Sequence, residues 1–185
     1  AREYLLKEGI PADRIIKIGS PLYEVINDHM DRILKSEVLI KYGLKPQQYF
    51  LVSSHREENV DSDENFSDFI EILNMIAGLY NLPVIVSTHP RTLKRIRKEN
   101  PGFLENIKFL KPFSFTDYVN LQINSKAVLS DSGTISEETS ILGLKALNIR
   151  QTHERPEAME EATVMMVGLN KERILEGLTI LETQK

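Results

Sequence analysis

Residues 127–138 read AVLSDSGTISEE, which combines an apolar run, a turn of small polar residues and two neighbouring carboxylates. The apolar run is typical of a short buried strand, and the spacing after Thr134 predicts a helix. A strand that passes into a helix through such a turn leaves backbone N–H groups unpaired at the helix start. With the helix dipole behind them, these donors suit a phosphate. We therefore interpret Ser132, Gly133 and Thr134 as an anion-binding loop.

Two carboxylates, Glu137 and Glu138, fall in the first turn of the predicted helix. One interpretation is that they cap the helix and offset its dipole. The other is that one of them accepts hydrogen bonds from sugar hydroxyls. The residues alone leave both interpretations open.

Short apolar runs alternate with amphipathic stretches along the whole chain. This pattern predicts a doubly wound parallel sheet of the Rossmann-like α/β class, with helices on both faces. The predicted strands are residues 14–18, 49–52, 84–86, 107–110, 127–129, 146–149 and 164–167. The main predicted helices are residues 1–8, 23–42, 61–80, 92–98, 118–122, the stretch that follows residue 134, and 171–181. Asp61 and Glu64 are predicted to be a capping pair at the start of the third helix. The last helix begins a C-terminal segment, residues 171–185.

Doubly wound sheets bind ligands at the carboxyl ends of their strands. Polar and aromatic residues follow the predicted strands at those ends, so the rule predicts that they share one edge of the sheet. They are His55, Arg56, Asn59, His89, Arg91, Phe113, Tyr118, Ser132, Gly133, Thr134, His153 and Arg155.

Length and composition narrow the class of protein. The chain has 185 residues, which suits a single domain spanning residues 1–185. The net charge of −4 shows no basic stripe for a nucleic acid, and no apolar run approaches the roughly 18 residues of a membrane span. The absence of cysteine excludes disulfides and thiolate metal sites. Without a signal peptide pattern at its start, the chain is expected in the cytoplasm.

Three other chemistries fit the sequence poorly. Three histidines and Asp131 could converge on a metal, but no two histidines have the spacing HxxxH or HxH, so no metal site is predicted. Ser132 lacks the Gly-x-Ser-x-Gly elbow of a Ser-His-Asp hydrolase. No glycine-rich dinucleotide fingerprint follows the first strand.

A ligand that carries a phosphate and a base fits best. The phosphates would lie at the 132–134 loop with a cation from Arg155 or His55, and an aromatic ring, Tyr118 or Phe113, would lie beside the base. The alternatives are that Tyr118 is a core tyrosine and that the His55-Arg56 pair lies in a solvated loop.

The motifs His55-Arg-Glu-Glu-Asn59, Ser130-Asp-Ser-Gly-Thr-Ile-Ser-Glu-Glu138 and Glu154-Arg-Pro-Glu157 together resemble the non-hydrolysing UDP-N-acetylglucosamine 2-epimerases. Ile18-Gly-Ser-Pro21 resembles the loop at the entry to their second half. The resemblance covers essentially the whole chain. It implies the carboxyl-terminal, nucleotide-binding half of a GT-B-type two-domain fold, with an amino-terminal partner domain that this sequence does not include.

The resemblance also implies roles for particular residues. In the family's pattern the diphosphate is bound by Ser132, Gly133 and Thr134, the ribose hydroxyls by Glu138, and the uracil lies near Tyr118. The resemblance implies that Arg155 contacts the phosphates and that Arg56 and Asn59 contact the substrate. It also implies that His55 assists the departure and return of UDP. In some members a second UDP-sugar acts as an activator, and the matching residues here are Arg56 and His89.

The implied reaction interconverts UDP-GlcNAc and UDP-ManNAc, or a modified 2-acetamido sugar, for capsule, O-antigen or cell-wall polysaccharide. UDP is eliminated to leave a 2-acetamidoglycal and is then added back with the opposite configuration at C2. No redox cofactor or metal is implied, and the full-length enzyme is expected to be a homodimer. The carboxylates that move the proton belong to the amino-terminal domain, so the isolated chain is expected to be inactive.

Three positions depart from the family's usual pattern. Glu57 replaces the second Arg after His-Arg, Thr134 replaces the second Gly of Ser-Gly-Gly, and His153 replaces a Thr before Glu-Arg-Pro. These variants resemble the branch that acts on modified UDP-sugars in surface polysaccharide synthesis. Thr134 is expected to narrow the phosphate loop.

Two other functions remain as alternatives. A retaining glycosyltransferase with the same architecture would use a UDP-sugar donor and an acceptor. The other alternative is a non-catalytic nucleotide-binding module, which would show no UDP binding that depends on Arg155.

Overall fold

A computed structural model describes residues 2–54, 62–99, 101–150 and 164–183. The strands are β1 (Phe50–Ser54), β2 (Val84–Thr88), β3 (Ile107–Leu110), β4 (Ala127–Ser130), β5 (Ala146–Asn148) and β6 (Met165–Met166). The helices are α1 (Arg2–Lys7), α2 (Leu22–Leu34), α3 (Val38–Tyr42), α4 (Asp63–Tyr80), α5 (Pro90–Glu99), α6 (Phe115–Asn124), α7 (Ile135–Leu142) and α8 (Lys171–Thr183). A 3₁₀ turn, Ala12–Arg14, lies between α1 and α2.

The six strands form one parallel sheet in the order β3-β2-β1-β4-β5-β6. Phe50 pairs with Val84 on one side and with Ala127 on the other, so β1 lies at the centre. From β1 the chain passes outwards to β2 and then to β3, and it then crosses to β4 on the opposite side of β1. The predicted doubly wound, Rossmann-like fold is therefore confirmed.

Alternate residues of the strands face two separate helix layers. On one face, Phe50, Val52 and Leu129 pack with the buried sides of α4, α5 and α8. On the other face, Leu51 and Val128 pack with α3, α6 and α7. Burial on both faces explains why the strands read as continuous apolar runs in the sequence.

The long helix predicted for residues 23–42 is instead two helices. Helix α2 ends at Leu34, and α3 starts at Val38. Between them, the Ser36 hydroxyl accepts from the Val38 N–H at 3.3 Å and donates to Asp117 Oδ1 at 2.5 Å. This serine provides the side-chain hydrogen bonding that competes with a continuous helix. Gly43 closes α3 with a φ of 65°, as its predicted position requires.

The strand predicted for residues 14–18 is wrong. The segment has no strand structure, and Ile16 and Ile18 are 80% and 83% exposed. A β-branched run becomes a strand only when a neighbour satisfies its backbone groups and covers its side chains. The segment joins no sheet among the described residues.

The start of α4 also differs from its prediction. The N-cap residue is Ser62, whose hydroxyl accepts from the Asn65 N–H at 3.4 Å. Glu64 lies inside the helix, and Asp61 lies outside the described residues.

The remaining strands and helices match the predictions apart from shifts at their ends. None of the described helices is long and apolar enough to cross a membrane.

Candidate functional site

The candidate site lies at the carboxyl ends of β1 and β4, the two neighbouring strands from which the chain continues in opposite directions, to β2 and to β5. Strand β4 runs beside β1 in register, with Ser53 opposite Ser130. The Asp131 N–H extends this pairing by donating to the Ser53 carbonyl at 3.1 Å. Such a reversal of strand order opens the crevice in which doubly wound folds bind ligands.

Hydrogen bonds within the 132–134 loop fix its shape. The Ser132 N–H donates to Ser130 Oγ at 3.1 Å, and the Thr134 N–H lies 3.3 Å from Ser132 Oγ. The Ser132 and Thr134 hydroxyls lie 2.9 Å apart. Two of the amides expected to be free at this turn therefore already have partners inside the loop. A phosphate here would use other amides or displace the serine hydroxyls.

Gly133 gives the loop space rather than an unusual backbone conformation. The described glycines with positive φ are Gly9, Gly19, Gly43, Gly102, Gly143 and Gly168. Gly133 is half-buried and does not belong to this set. The absence of a side chain is what would let a ligand approach this turn.

Helix α7 starts without a capping side chain. Thr134 is its N-cap residue, and the threonine hydroxyl makes no capping hydrogen bond to the helix backbone. It donates instead to Glu138 Oε1 at 2.7 Å, one turn along the same helix. The positive end of the α7 dipole thus faces the loop, as an anion site requires.

Both carboxylates of the first turn of α7 bind side chains from other parts of the fold. Glu138 Oε2 accepts from the amide of Gln122 on α6. Glu137 Oε2 accepts from the hydroxyl of Ser20, in the loop before α2. These contacts show that neither residue acts only as a local helix cap. Ionised, Glu138 has about four acceptor positions, so two side-chain donors leave room for ligand hydroxyls.

Tyr118 reaches the same crevice from α6. The residue as a whole is half-buried, but its hydroxyl end lies inside the protein near Ser53 and Ser130. Burial raises the pKa of the Tyr118 phenol well above its ordinary range. The negative charges of Glu138 and Asp131 add to this effect, while hydrogen bonding to the two serines opposes it. The phenol is therefore protonated at neutral pH.

A buried carboxylate lies directly behind the loop. Asp131 is 1% exposed, and its Oδ2 accepts from the Ser54 hydroxyl at 3.2 Å. This contact joins the end of β1 to the first residue after β4. Since a buried carboxylate must be hydrogen-bonded, Asp131 holds the two strand ends together.

His89 lies after β2, one strand away from β1. Its Nδ1 accepts from the Arg91 N–H at 3.3 Å, and its carbonyl accepts from the Leu93 N–H at 3.1 Å. His89 therefore caps the start of α5. Because a backbone N–H can only donate, a neutral His89 carries its proton on Nε2.

The structure brings together Tyr118, Ser132, Gly133, Thr134 and Glu138. His55, Arg56, Asn59, His153 and Arg155 lie outside the described residues, as does Glu57. Across the described ranges, 2–54, 62–99, 101–150 and 164–183, no group of three His, Asp or Glu residues could hold a metal ion.

Sequence reasoning missed two side chains at this site. Gln122 and Ser20 contact Glu138 and Glu137, although they lie 16 and 117 residues away along the chain. A signal for Gln122 existed: it follows Tyr118 by four residues, which places both on one face of α6. Ser20 lies in the Ile18–Pro21 motif, but that motif does not predict its contact, which depends on how the loop before α2 returns to α7.

Comparison with known proteins gives a consistent result. The sequence model of a protein family described as UDP-N-acetylglucosamine 2-epimerase matches residues 1–185. The UDP-N-acetylglucosamine 2-epimerase of Methanocaldococcus jannaschii is 30% identical over 192 residues, covering 100% of this chain and 52% of that protein. The chain spans about half the length of the curated relatives it matches.

Solved structures agree with this comparison. The UDP-N-acetylglucosamine 2-epimerase from Rickettsia bellii is 48% identical, with a TM-score of 0.87 over 100% of this chain and 49% of that one. The M. jannaschii epimerase in complex with UDP-GlcNAc and UDP is 30% identical, with a TM-score of 0.86 over 100% of this chain and 52% of that one.

Proposed function

Because the chain belongs to the UDP-N-acetylglucosamine 2-epimerase family, we propose that it is the UDP-binding, carboxyl-terminal half of a non-hydrolysing epimerase with a GT-B-type fold. The enzyme is an isomerase that inverts C2 of a UDP-2-acetamido sugar. The observation that carries this proposal is the cluster of Thr134, Glu138 and Tyr118 at the crevice between β1 and β4.

The diphosphate is proposed to bind at the loop of Ser132, Gly133 and Thr134. Support comes from the uncapped start of α7, whose dipole favours an anion at this position. Arg155, which lies outside the described residues, is proposed to add a guanidinium that pairs with the phosphates.

The nucleoside is proposed to lie between Glu138 and Tyr118. The Glu138 carboxylate is held by two donors and retains acceptor positions for the two ribose hydroxyls. Tyr118 lies in the same crevice on the α6 side, where its ring could contact the uracil. Carboxylate recognition of a ribose diol is also used by dinucleotide-binding sites.

The reaction follows from this placement of the nucleotide. Removal of the C2 proton and breakage of the C1–O bond release UDP and leave a 2-acetamidoglycal. UDP then adds back at C1 while a proton returns to the opposite face of C2. His55 and the phosphate loop are proposed to stabilise the negative charge on the departing UDP. The groups that move the C2 proton are proposed to lie in another domain.

The proposal also assigns roles to Arg56, Asn59 and His89. Arg56 and Asn59 contact the substrate, and Arg56 with His89 forms the second, activating UDP-sugar site. The Nε2–H of a neutral His89 would supply one donor to that site. The product serves surface polysaccharide synthesis in the cytoplasm, and the whole enzyme is a homodimer.

Isothermal titration of the 185-residue chain with UDP tests the proposal. Replacing Glu138 with Ala should weaken UDP binding about tenfold or more, since a hydrogen bond to a charged group contributes about 1.5–3 kcal/mol. Glu172→Ala on α8 is the control and should leave binding unchanged. Absence of UDP binding, or equal binding by wild type and Glu138→Ala, would overturn the proposal.

A further inference from the structure

Gln122 is a buried amide whose hydrogen bonding is satisfied at only one end. The residue is 1% exposed on α6, and its Nε2 donates to Glu138 Oε2. Its Oε1 has no hydrogen-bond partner among the described residues. Buried polar atoms without a partner are destabilising, and native structures contain few of them.

An apolar side chain of similar size would avoid this cost. Methionine at this position would fill nearly the same volume and leave no orphaned oxygen. The interaction that Gln122 provides and methionine would not is the donor to Glu138. The orientation of the amide is fixed by the same contact, because an oxygen turned towards the carboxylate would be repelled.

Glu138 is consequently held from two sides. The Thr134 hydroxyl donates to one carboxylate oxygen at 2.7 Å, and the Gln122 amide donates to the other. Thr134 lies on the same helix as Glu138, whereas Gln122 comes from the neighbouring helix α6. The Thr134 hydroxyl thus restrains the Glu138 carboxylate along α7. The Gln122 amide sets the orientation of that carboxylate relative to Tyr118, which is also on α6.

We propose that Gln122 is a positioning residue for ribose recognition: it fixes the Glu138 carboxylate in the orientation that accepts both ribose hydroxyls, and so makes the site selective for ribonucleotides. This inference rests on the proposed UDP site. Gln122 itself need not touch the nucleotide. Its removal should weaken recognition of the sugar hydroxyls and spare recognition of the phosphates and base.

The test compares the dissociation constants of UDP and 2′,3′-dideoxy-UDP for the 185-residue chain. Wild type should prefer UDP. Gln122→Met should reduce that preference about fivefold or more, because a mobile carboxylate loses part of a charge-assisted hydrogen bond. The affinity for the dideoxy nucleotide should stay within about twofold, since it lacks the hydroxyls that Glu138 reads.

Asn120→Met is the matched control. Asn120 is another buried amide of α6, but its Nδ2 donates to the Ile33 carbonyl at 2.7 Å rather than to Glu138. It should lose stability and keep the preference for UDP. If Gln122→Met fails to fold by circular dichroism, Gln122→Leu serves as the second variant, and it should reduce the preference likewise because leucine also has no donor for Glu138.

The outcomes separate this inference from the proposed function. An unchanged preference in both Gln122 variants, an equal drop in Asn120→Met, or a wild type that binds both nucleotides equally would overturn the positioning role. A wild type that binds neither nucleotide would overturn the UDP site itself.

Discussion

The Ser54 hydroxyl donates to the buried Asp131 carboxylate at 3.2 Å, joining the carboxyl ends of the two strands that flank the crevice. Ser54→Ala removes this donor without changing the backbone. The free energy of unfolding should fall by about 1.5 kcal/mol, since a hydrogen bond to a buried charge is lost. Urea denaturation measures the change. Ser67→Ala, at an exposed position on α4, should stay within about 0.5 kcal/mol of wild type; equal effects of the two substitutions would contradict the finding.

Tyr118 predicts a loss of stability at alkaline pH. The folded protein holds the phenol proton more tightly than the unfolded chain does, because burial raises the pKa of Tyr118. Stability from this group is fully present below the unfolded pKa of about 10 and is lost as pH rises further. Tyr118→Phe should therefore make the alkaline decline in unfolding free energy shallower.

Denaturation at a series of pH values, with tyrosinate absorbance followed in parallel, measures this effect. Tyr23→Phe is the control, because Tyr23 is 58% exposed. Tyr49 should behave like Tyr118, since it is fully buried and its pKa is also raised by burial. A decline of the same steepness in wild type and Tyr118→Phe would contradict the account.

Two helical glycines predict opposite results for the same substitution. A Cβ at Gly177 on α8 would lie 2.8 Å from Leu147 Cδ2, a side chain that is itself fully buried. A Cβ at Gly78 on α4 would lie 3.5 Å from Leu104 Cδ1, an ordinary contact. Gly177→Ala should cost about 1 kcal/mol through overpacking, whereas Gly78→Ala should gain about 0.5–1 kcal/mol.

Thermal or urea unfolding of both variants gives the comparison directly. The two substitutions control for each other, because the helix propensity gained is the same. If Gly177→Ala were as stabilising as Gly78→Ala, α8 would lie farther from β5 than the structure places it.

The chain of 185 residues is expected to bind UDP and to epimerise nothing. It contains the residues of the proposed nucleotide site, while the proposed proton-moving carboxylates lie in another domain. Incubation with UDP-GlcNAc and separation of the 2-epimers should show no conversion above a protein-free blank. Measurable turnover would contradict the proposal that this chain is half of the catalytic apparatus.

The parts of the fold that the sequence predicts are those determined locally or by burial on both faces. The central strands are continuous apolar runs, and the 132–134 loop follows β4 directly. The isoleucines of residues 14–18 have the same β-branched character, but whether a partner strand lies nearby is not encoded in that segment. The sequence pattern does not show the helix break after Leu34, because the apolar positions of α2 and α3 follow one another at near-helical spacing.

The roles of the candidate site residues stay predictions, whereas the proximity of some of them could be predicted from the sequence. The loop and Glu138 lie in one contiguous motif, and the resemblance to the epimerases assigned their roles. The contacts of Glu138 with Gln122 and of Glu137 with Ser20 join separate elements. Periodicity carries no information about which helices and loops lie side by side on one face of the sheet, so these contacts required the structure.

Helix α8 completes a core that begins much earlier in the chain. Leu178 and Leu181 pack in the same cluster as Phe50 of β1, and Lys126 pairs with Glu182 at 2.8 Å. On the ribosome, residues 171–183 are made after all of β1 to β5. The part of this sheet face that α8 covers, beside β5, therefore stays open after α4 and α5 have covered the rest, and a chaperone that shields apolar surface has its longest opportunity there.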